Sequence, residues 1–225
     1  MTVQIIIEDH VVPQLFTSAI EAYEFEHKTH KRVKGKTGLE TYGLLWGYVL
    51  PERNGQATRV VATLATIETS ALRHEDSVTP DLESLRMKRD FFQQYWPNLE
   101  LVGTFHSHPY DNLPTVQEIK GWRASVGDKE HWPWVHQELA PELPHMAHLI
   151  VTITGLERRG RAAPKELDNG EAGTGFVLSS DYRKFWIKGY ATEAVMDEDA
   201  VEADYSFNTL DDIQLDIPSL VKRFQ

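Results

Sequence analysis

The chain has 225 residues, 41% hydrophobic and 25% charged, with a formal net charge of -11 and no cysteine. That charge disfavours a nucleic-acid backbone as partner, and the missing thiols exclude disulfides, thiolate metal sites, cysteine-dependent hydrolysis and the Cys-x-x-Cys zinc deaminases. No apolar run approaches the ~18 residues of a membrane span, and Met1-Thr-Val-Gln lacks a signal-peptide pattern, so the expectation is a soluble cytoplasmic protein without a membrane partner.

Val12, Leu15, Phe16, Ala19, Ile20 and Tyr23 recur at helical spacing, with Pro13 near the start. A basic loop over residues 28–36 leads to Glu40 and a glycine-punctuated strand over 43–50. Residues 59–66 read as the next strand, and Thr79-Pro-Asp caps a second helix carrying Leu82, Leu85, Phe92 and Tyr95 on one side. Leu99, Leu101, Val102 and Phe105 form a short apolar strand, and a short helix follows Thr115. Residues 148–154 read as a buried strand; 175–178 and 184–190 read as a closing hairpin turned at 179–183. This order predicts an α/β sandwich, a mixed central β-sheet flanked by helices, in one domain over 1–192.

Three stretches stand apart. Residues 126–147 hold Trp132, Trp134 and the histidines His131, His136 and His145, and read as an insertion that either clamps a substrate tail or covers the core. Residues 158–173 read as a mobile loop. Residues 193–225 form a C-terminal extension whose Leu210, Ile213, Leu215, Ile217, Leu220 and Phe224 dock on the domain or on a partner.

The most informative stretch is Gly103-Thr-Phe-His-Ser-His-Pro109. Residues i and i+2 of a strand share a face, so His106 and His108 point the same way, close enough to chelate one metal ion. Pro109 cannot donate to a sheet ladder, so the strand is expected to end there, at a rim. Catalytic zinc takes three protein ligands and a water, and the water needs a proton acceptor that is not itself a ligand. Downstream, Thr115-Val-Gln-Glu118 offers a carboxylate, with Asp111 as the alternative ligand; upstream, Glu40 precedes the apolar strand. Thr115-x-x-Glu118 also carries the signature of a helix capping box.

Glutamate, glycine-punctuated strand, His-x-His-Pro and hydroxyl-x-x-carboxylate, in that order across residues 10–155, resemble the JAMM (MPN+) zinc metalloprotease family. That family cleaves the peptide or isopeptide bond after the C-terminal glycine of ubiquitin-like proteins. The resemblance implies an MPN/cytidine-deaminase-like sandwich, Zn2+ held by His106, His108 and Glu118, Glu40 as the group that activates water, and the Thr115 hydroxyl at the oxyanion. One part departs from the pattern: the family has Ser-x-x-Asp, its aspartate eleven residues beyond the second histidine, whereas Glu118 lies ten beyond His108. The implied function is deconjugation or precursor processing of a ubiquitin-like protein, as in bacterial antiviral conjugation systems. The alternatives are a catalytically inactive MPN-type protein-binding scaffold and a peptidase for a sulfur-carrier protein.

Overall fold

Apolar residues alternate or recur along most of the chain, and the elements follow that pattern. The computed structural model describes residues 2–28, 34–53, 55–168, 170–196 and 205–222. The strands are β1 (Val3–Ile7), β2 (Tyr42–Leu50), β3 (Arg59–Ile67), β4 (Leu72–Arg73), β5 (Val78–Thr79), β6 (Glu100–Tyr110), β7 (His145–Glu166), β8 (Gly175–Met196), β9 (Tyr205–Leu210) and β10 (Ile213–Asp216). The helices among the described residues are α1 (Val12–Glu24), α2 (Leu82–Tyr95), α3 (Leu113–Ile119), α4 (Val126–Leu139) and α5 (Pro218–Lys222). The protein is therefore α/β, with a mixed eight-stranded sheet in the order β10-β1-β3-β2-β6-β7-β8-β9; β4 and β5 pair separately. No helix among the described residues is long and apolar enough to cross a membrane. The basic loop over 28–36 and the acidic opening of the C-terminal extension lie partly, and Phe224 wholly, outside the described residues.

Each face of the sheet has its own apolar layer. Ile5, Val60, Phe105, Leu149 and Ile187 pack against Val12, Leu15 and Ala19 of α1. On the opposite face Leu44, Trp46 and Leu101 pack against Leu85 of α2 and Val135 and Leu139 of α4. Helix α2 is capped within Thr79-Pro-Asp by Asp81, whose side chain accepts from the Ser84 N–H, while Thr79 belongs to β5. The segment over 126–147 is integral to the second layer: Trp132, Val135 and Leu139 of α4 are fully buried.

The sheet is strongly curled. β9 and β10 lie at its two ends, yet only Asp211 and Asp212 separate them in sequence. Three Cα steps of about 3.8 Å cannot exceed about 11 Å, so the ends must approach each other. The closing piece comes from residues read as a mobile loop and a separate hairpin. Residues 175–178 and 184–190 do not pair with each other as a hairpin; both belong to β8 and pair with β7, which itself runs to Glu166. A register shift between Gly155 and Gly160, opposite Asp181 at φ 58°, breaks the ladder in the middle of this ribbon. The ribbon folds back there, so that its tip meets both β8 and β10: Gly189 N–H donates to Thr174 O at 2.9 Å, and Leu215 N–H to Gly173 O at 2.7 Å. The C-terminal extension thus packs on its own sheet, with Ile213, Leu215, Ile217 and Leu220 in the core.

A buried polar chain ties α4 to the sheet. Leu143 O can only accept, so His136 carries its hydrogen on Nε2 (3.0 Å) and its Nδ1 accepts from Thr192 Oγ1 at 2.8 Å. The Thr192 oxygen then accepts from His148 Nε2 at 3.0 Å, leaving His148 Nδ1 to accept from Thr104 Oγ1 at 2.8 Å. Trp132 stacks on the His148 ring at 4.9 Å. Burial holds both imidazoles neutral, His136 down to about 4 and His148 well below 6.5. A depressed folded pKa gives stability that is fully present above the unfolded value of 6.5 and is lost as pH falls toward the folded one. The stability advantage of wild type over His136→Gln, read by urea unfolding, is therefore expected to shrink by about 3 kcal/mol between pH 7 and pH 4. A pH-independent difference would show that His136 is not buried neutral.

Candidate metal centre

Strand register sets the site. β2 pairs antiparallel with β6 up to Tyr42 opposite His106, and there β2 ends. β6 does not stop at Pro109 as expected, because β7 stays paired with it on the other side through Tyr110 opposite Thr154. Pro109 is tolerated because it lies beyond the end of β2, where one edge of β6 is free. Ser107, on the face opposite the two imidazoles, extends the β2 contact: its N–H donates to Thr41 O at 3.0 Å, and its Oγ accepts from Thr41 N–H at 2.9 Å. This clasp fixes Thr41 beside Glu40, whose own N–H donates to His74 O at 2.8 Å. Two residues before Tyr42, Glu40 returns to the histidine side of the sheet and lines the same cavity.

The imidazoles converge with one carboxylate. His106 Nε2 and His108 Nε2 are 3.0 Å apart, and Asp128 places Oδ1 3.0 Å from the first and Oδ2 3.5 Å from the second. All three side chains are largely buried. His108 Nδ1 faces Gly121 O at 3.1 Å; a carbonyl can only accept, so Nδ1 carries a hydrogen and Nε2 is the nitrogen left to bind a ligand once deprotonated. Gly121 follows the left-handed Lys120 (φ 53°) that ends α3, and a Cβ at Gly121 would lie 2.6 Å from the Tyr110 ring. Asp128 is held by a capping box at the start of α4: its N–H donates to Ser125 Oγ at 3.1 Å, and its Oδ2 accepts from Ser125 N–H at 2.7 Å.

The carboxylate at the histidines is Asp128, not Glu118. Glu118 is exposed on α3 and is absent from the lining of the histidine cavity. Thr115 lies in the first turn of α3, where its N–H and Oγ both donate to Asn112 Oδ1 at 3.0 and 2.9 Å; Asn112 is the cap of that helix. Thr115 and Asp111 line an adjoining cavity instead. The family's spacing from the second histidine points to α3 and away from Asp128, although Ser125-Val-Gly-Asp128 bears both the capping-box pattern and the Ser-x-x-Asp spacing.

Burial raises the Glu40 carboxyl above its ordinary value, His106 and His108 opposing the rise and Asp128 adding to it. Asp128 is pushed up by burial, but its bonds to the two imidazoles outweigh this and hold it far below the usual carboxylate range. His108 is lowered by burial and raised more by Asp128 and Glu40, ending above 6.5. The cavity, about 410 Å³, is also walled by Glu75 and Asp76 from the β4–β5 turn, by Ser125, and by His131 and Trp132 of α4. The adjoining cavity of about 630 Å³ shares Glu75, Pro109 and Tyr110 with it. Among the described residues no lysine or arginine lines either one.

The fold and site define an α/β protein with a buried His-His-Asp group that could bind a metal ion. A tetrahedral ion with bonds of about 2.0–2.1 Å has donor–donor edges of about 3.3 Å, and the separations of 3.0–3.5 Å fit that size. Neither protein-family profiles nor curated protein sequences give a match to this chain. Elemental analysis is expected to find about one metal ion per chain in wild type and in Glu118→Ala, and none in Asp128→Ala. Metal retained by Asp128→Ala and lost from Glu118→Ala would reverse this assignment.

Proposed function

We propose that this chain is a JAMM-type zinc isopeptidase that cleaves the peptide or isopeptide bond after the C-terminus of a ubiquitin-like protein. The observation that carries the reading is the convergence of Glu40, from an element remote in sequence, on the cavity that holds His106, His108 and Asp128. Ser125-Val-Gly-Asp128 supplies the family's Ser-x-x-Asp in a longer connection. Asp128 lies twenty residues beyond His108 instead of eleven, an excess of nine, and the seven-residue α3 accounts for most of it. The mixed sheet with a helical layer on each face is compatible with an MPN/cytidine-deaminase-like sandwich.

In this reading His106, His108 and Asp128 hold Zn2+, with Gly121 O and Ser125 fixing the orientations of His108 and Asp128. When bound there, the ion would supply Lewis acidity, lowering the pKa of a water and polarising the scissile carbonyl. Glu40 accepts the proton from the attacking water and delivers it to the leaving amine as the C–N bond breaks. Burial, which raises its pKa above the ordinary carboxylate value, favours the protonated form from which the second step draws. The Ser125 oxygen already accepts from Asp128 N–H, so its own proton is free for the tetrahedral oxyanion, the role that the resemblance had assigned to Thr115. The acidic walls, Glu75 and Asp76 at the site and Asp111 beside it, favour a substrate tail bearing cationic side chains.

With a panel of ubiquitin-like fusions as substrates, Glu40→Gln is expected to lower cleavage by roughly 10³-fold or more while keeping its metal. Ser125→Ala should lose about 10²-fold and Thr115→Ala less than about twofold. Full activity in Glu40→Gln, or metal-independent cleavage by wild type, would refute the mechanism. Glu75→Lys is expected to raise KM several-fold for tails carrying arginine and to leave uncharged tails unaffected; equal effects on both would remove the charge preference.

A further inference from the structure

Residues 121–125 join α3 to α4 and have no regular structure, yet both supports of the metal group hang from them. At one end Gly121 O accepts from His108 Nδ1 at 3.1 Å and from Thr152 Oγ1 at 3.1 Å. At the other, Ser125 begins the capping box that orients Asp128. Between them Ala124 N–H donates to the Tyr190 hydroxyl at 2.8 Å, and the Trp122 ring lies parallel to that of Trp186, centroids 5.9 Å apart.

Beside the backbone bonds of Gly121 N–H to Val116 O (2.8 Å) and Arg123 N–H to Lys120 O (2.9 Å), the polar restraint on the Trp122 and Arg123 side chains comes from one carboxylate far away in sequence. Glu171 lies in the tip of the folded-back β7–β8 ribbon, its side chain 12% exposed. Its Oε2 accepts from Trp122 Nε1 at 3.0 Å, while Oε1 accepts from Arg123 Nε and Lys188 Nζ, each at 3.0 Å. The tip is itself anchored. Thr174 donates through N–H (3.1 Å) and Oγ1 (2.7 Å) to Glu171 O, and Lys188 Nζ reaches Thr174 Oγ1 at 2.8 Å. Gly173 and Thr174 bond to β10 and β8. A rigid frame thus presents a carboxylate that accepts from two consecutive residues of an otherwise irregular connector.

The geometry points to Glu171 as a positioning residue for the metal centre, acting through Trp122 and Arg123 to hold Gly121 O against His108 and Ser125 beneath Asp128. This inference rests on the metal reading above. Glu171 touches neither the donor atoms nor the cavity. Removing it leaves the Trp122 N–H, the Arg123 guanidinium and the buried Lys188 ammonium without their shared acceptor, and frees the connector to shift. A ligand's direct hydrogen-bond partner is typically worth roughly 10–100-fold in metal affinity, and Glu171 lies one step further out, so about ten-fold is expected.

The test is Zn2+ affinity of the full chain by competition with a chromogenic chelator, well below the unfolding temperature of each protein. Wild type, Glu171→Ala, Trp122→Phe and Asp128→Ala are compared, with the visible spectrum of each Co2+-loaded protein as a second readout. Glu171→Ala should bind Zn2+ about ten-fold more weakly, with an altered Co2+ spectrum, while staying folded. Trp122→Phe keeps the aromatic stacking and loses only the N–H, so it should weaken binding about threefold; it decides the matter if Glu171→Ala does not fold. A role confined to stability would lower the unfolding temperature and leave affinity and spectrum unchanged, and that result overturns the proposal. Wild type binding Zn2+ no better than Asp128→Ala would overturn the metal reading itself, and this inference with it.

Discussion

Asp128 sits in a largely buried space beside two imidazoles, and that juxtaposition constrains much of the surrounding structure. An unpaired carboxylate there would be strongly penalised by desolvation, and its stability depends on charge and hydrogen bonds delivered at short range. His106 and His108 provide part of that. The rest comes from the start of α4, where the Ser125 N–H bonds the carboxylate and the helix dipole favours negative charge. Drift of α4 would lengthen the Asp128 contacts with both imidazoles. The chain of hydrogen bonds from Leu143 through His136, Thr192 and His148 to Thr104 opposes such drift, since every hydrogen its side chains can donate is already used.

The curl of the sheet matters for the same reason. A flat eight-stranded sheet would leave the β7–β8 ribbon projecting into solvent, far from the connector between α3 and α4. Folded back at the register shift, the ribbon fills the space between β8 and β10 and brings Glu171 to Trp122 and Arg123. Two segments that look peripheral in the sequence, the charged stretch over 158–173 and the tail beyond 205, therefore become part of the frame around the site.

Glu40 is placed by a different device. Its carboxyl lies on the histidine side of the sheet, but the bonds that locate its backbone lie elsewhere: Ser107 clasps Thr41 from the opposite face, and His74 O holds Glu40 N–H. The middle residue of His-Ser-His thus has a task separate from that of its neighbours, and strand alternation separates the two. Glu40 thus lines the cavity of the His-His-Asp group without joining it, the division that the proposed hydrolysis by a metal-bound water requires.

Local pattern was enough for the α/β class, the packing of α1 through Val12, Leu15 and Ala19 and of α2 through Leu82, Leu85 and Phe92 (though not Tyr95, which is exposed), and the placing of His106 and His108 on one strand face. These depend on spacing along a single element, where periodicity of 2 or 3.6 translates directly into geometry. The third donor did not follow from the same information. Thr115-x-x-Glu118 and Ser125-x-x-Asp128 are equivalent as local signals, each a hydroxyl three residues before a carboxylate at a helix start. Packing decides between them: Asn112 takes over the cap of α3 and leaves Glu118 in solvent, while Trp132, Val135 and Leu139 bury α4 against the sheet and aim Asp128 inward. Pro109 likewise reads as a strand end until β7 is seen to continue past the point where β2 stops. The sequence by itself determined which residues could act together on one element. Only the tertiary structure decided which distant elements meet, because that choice depends on burial and on which polar groups find partners across the fold.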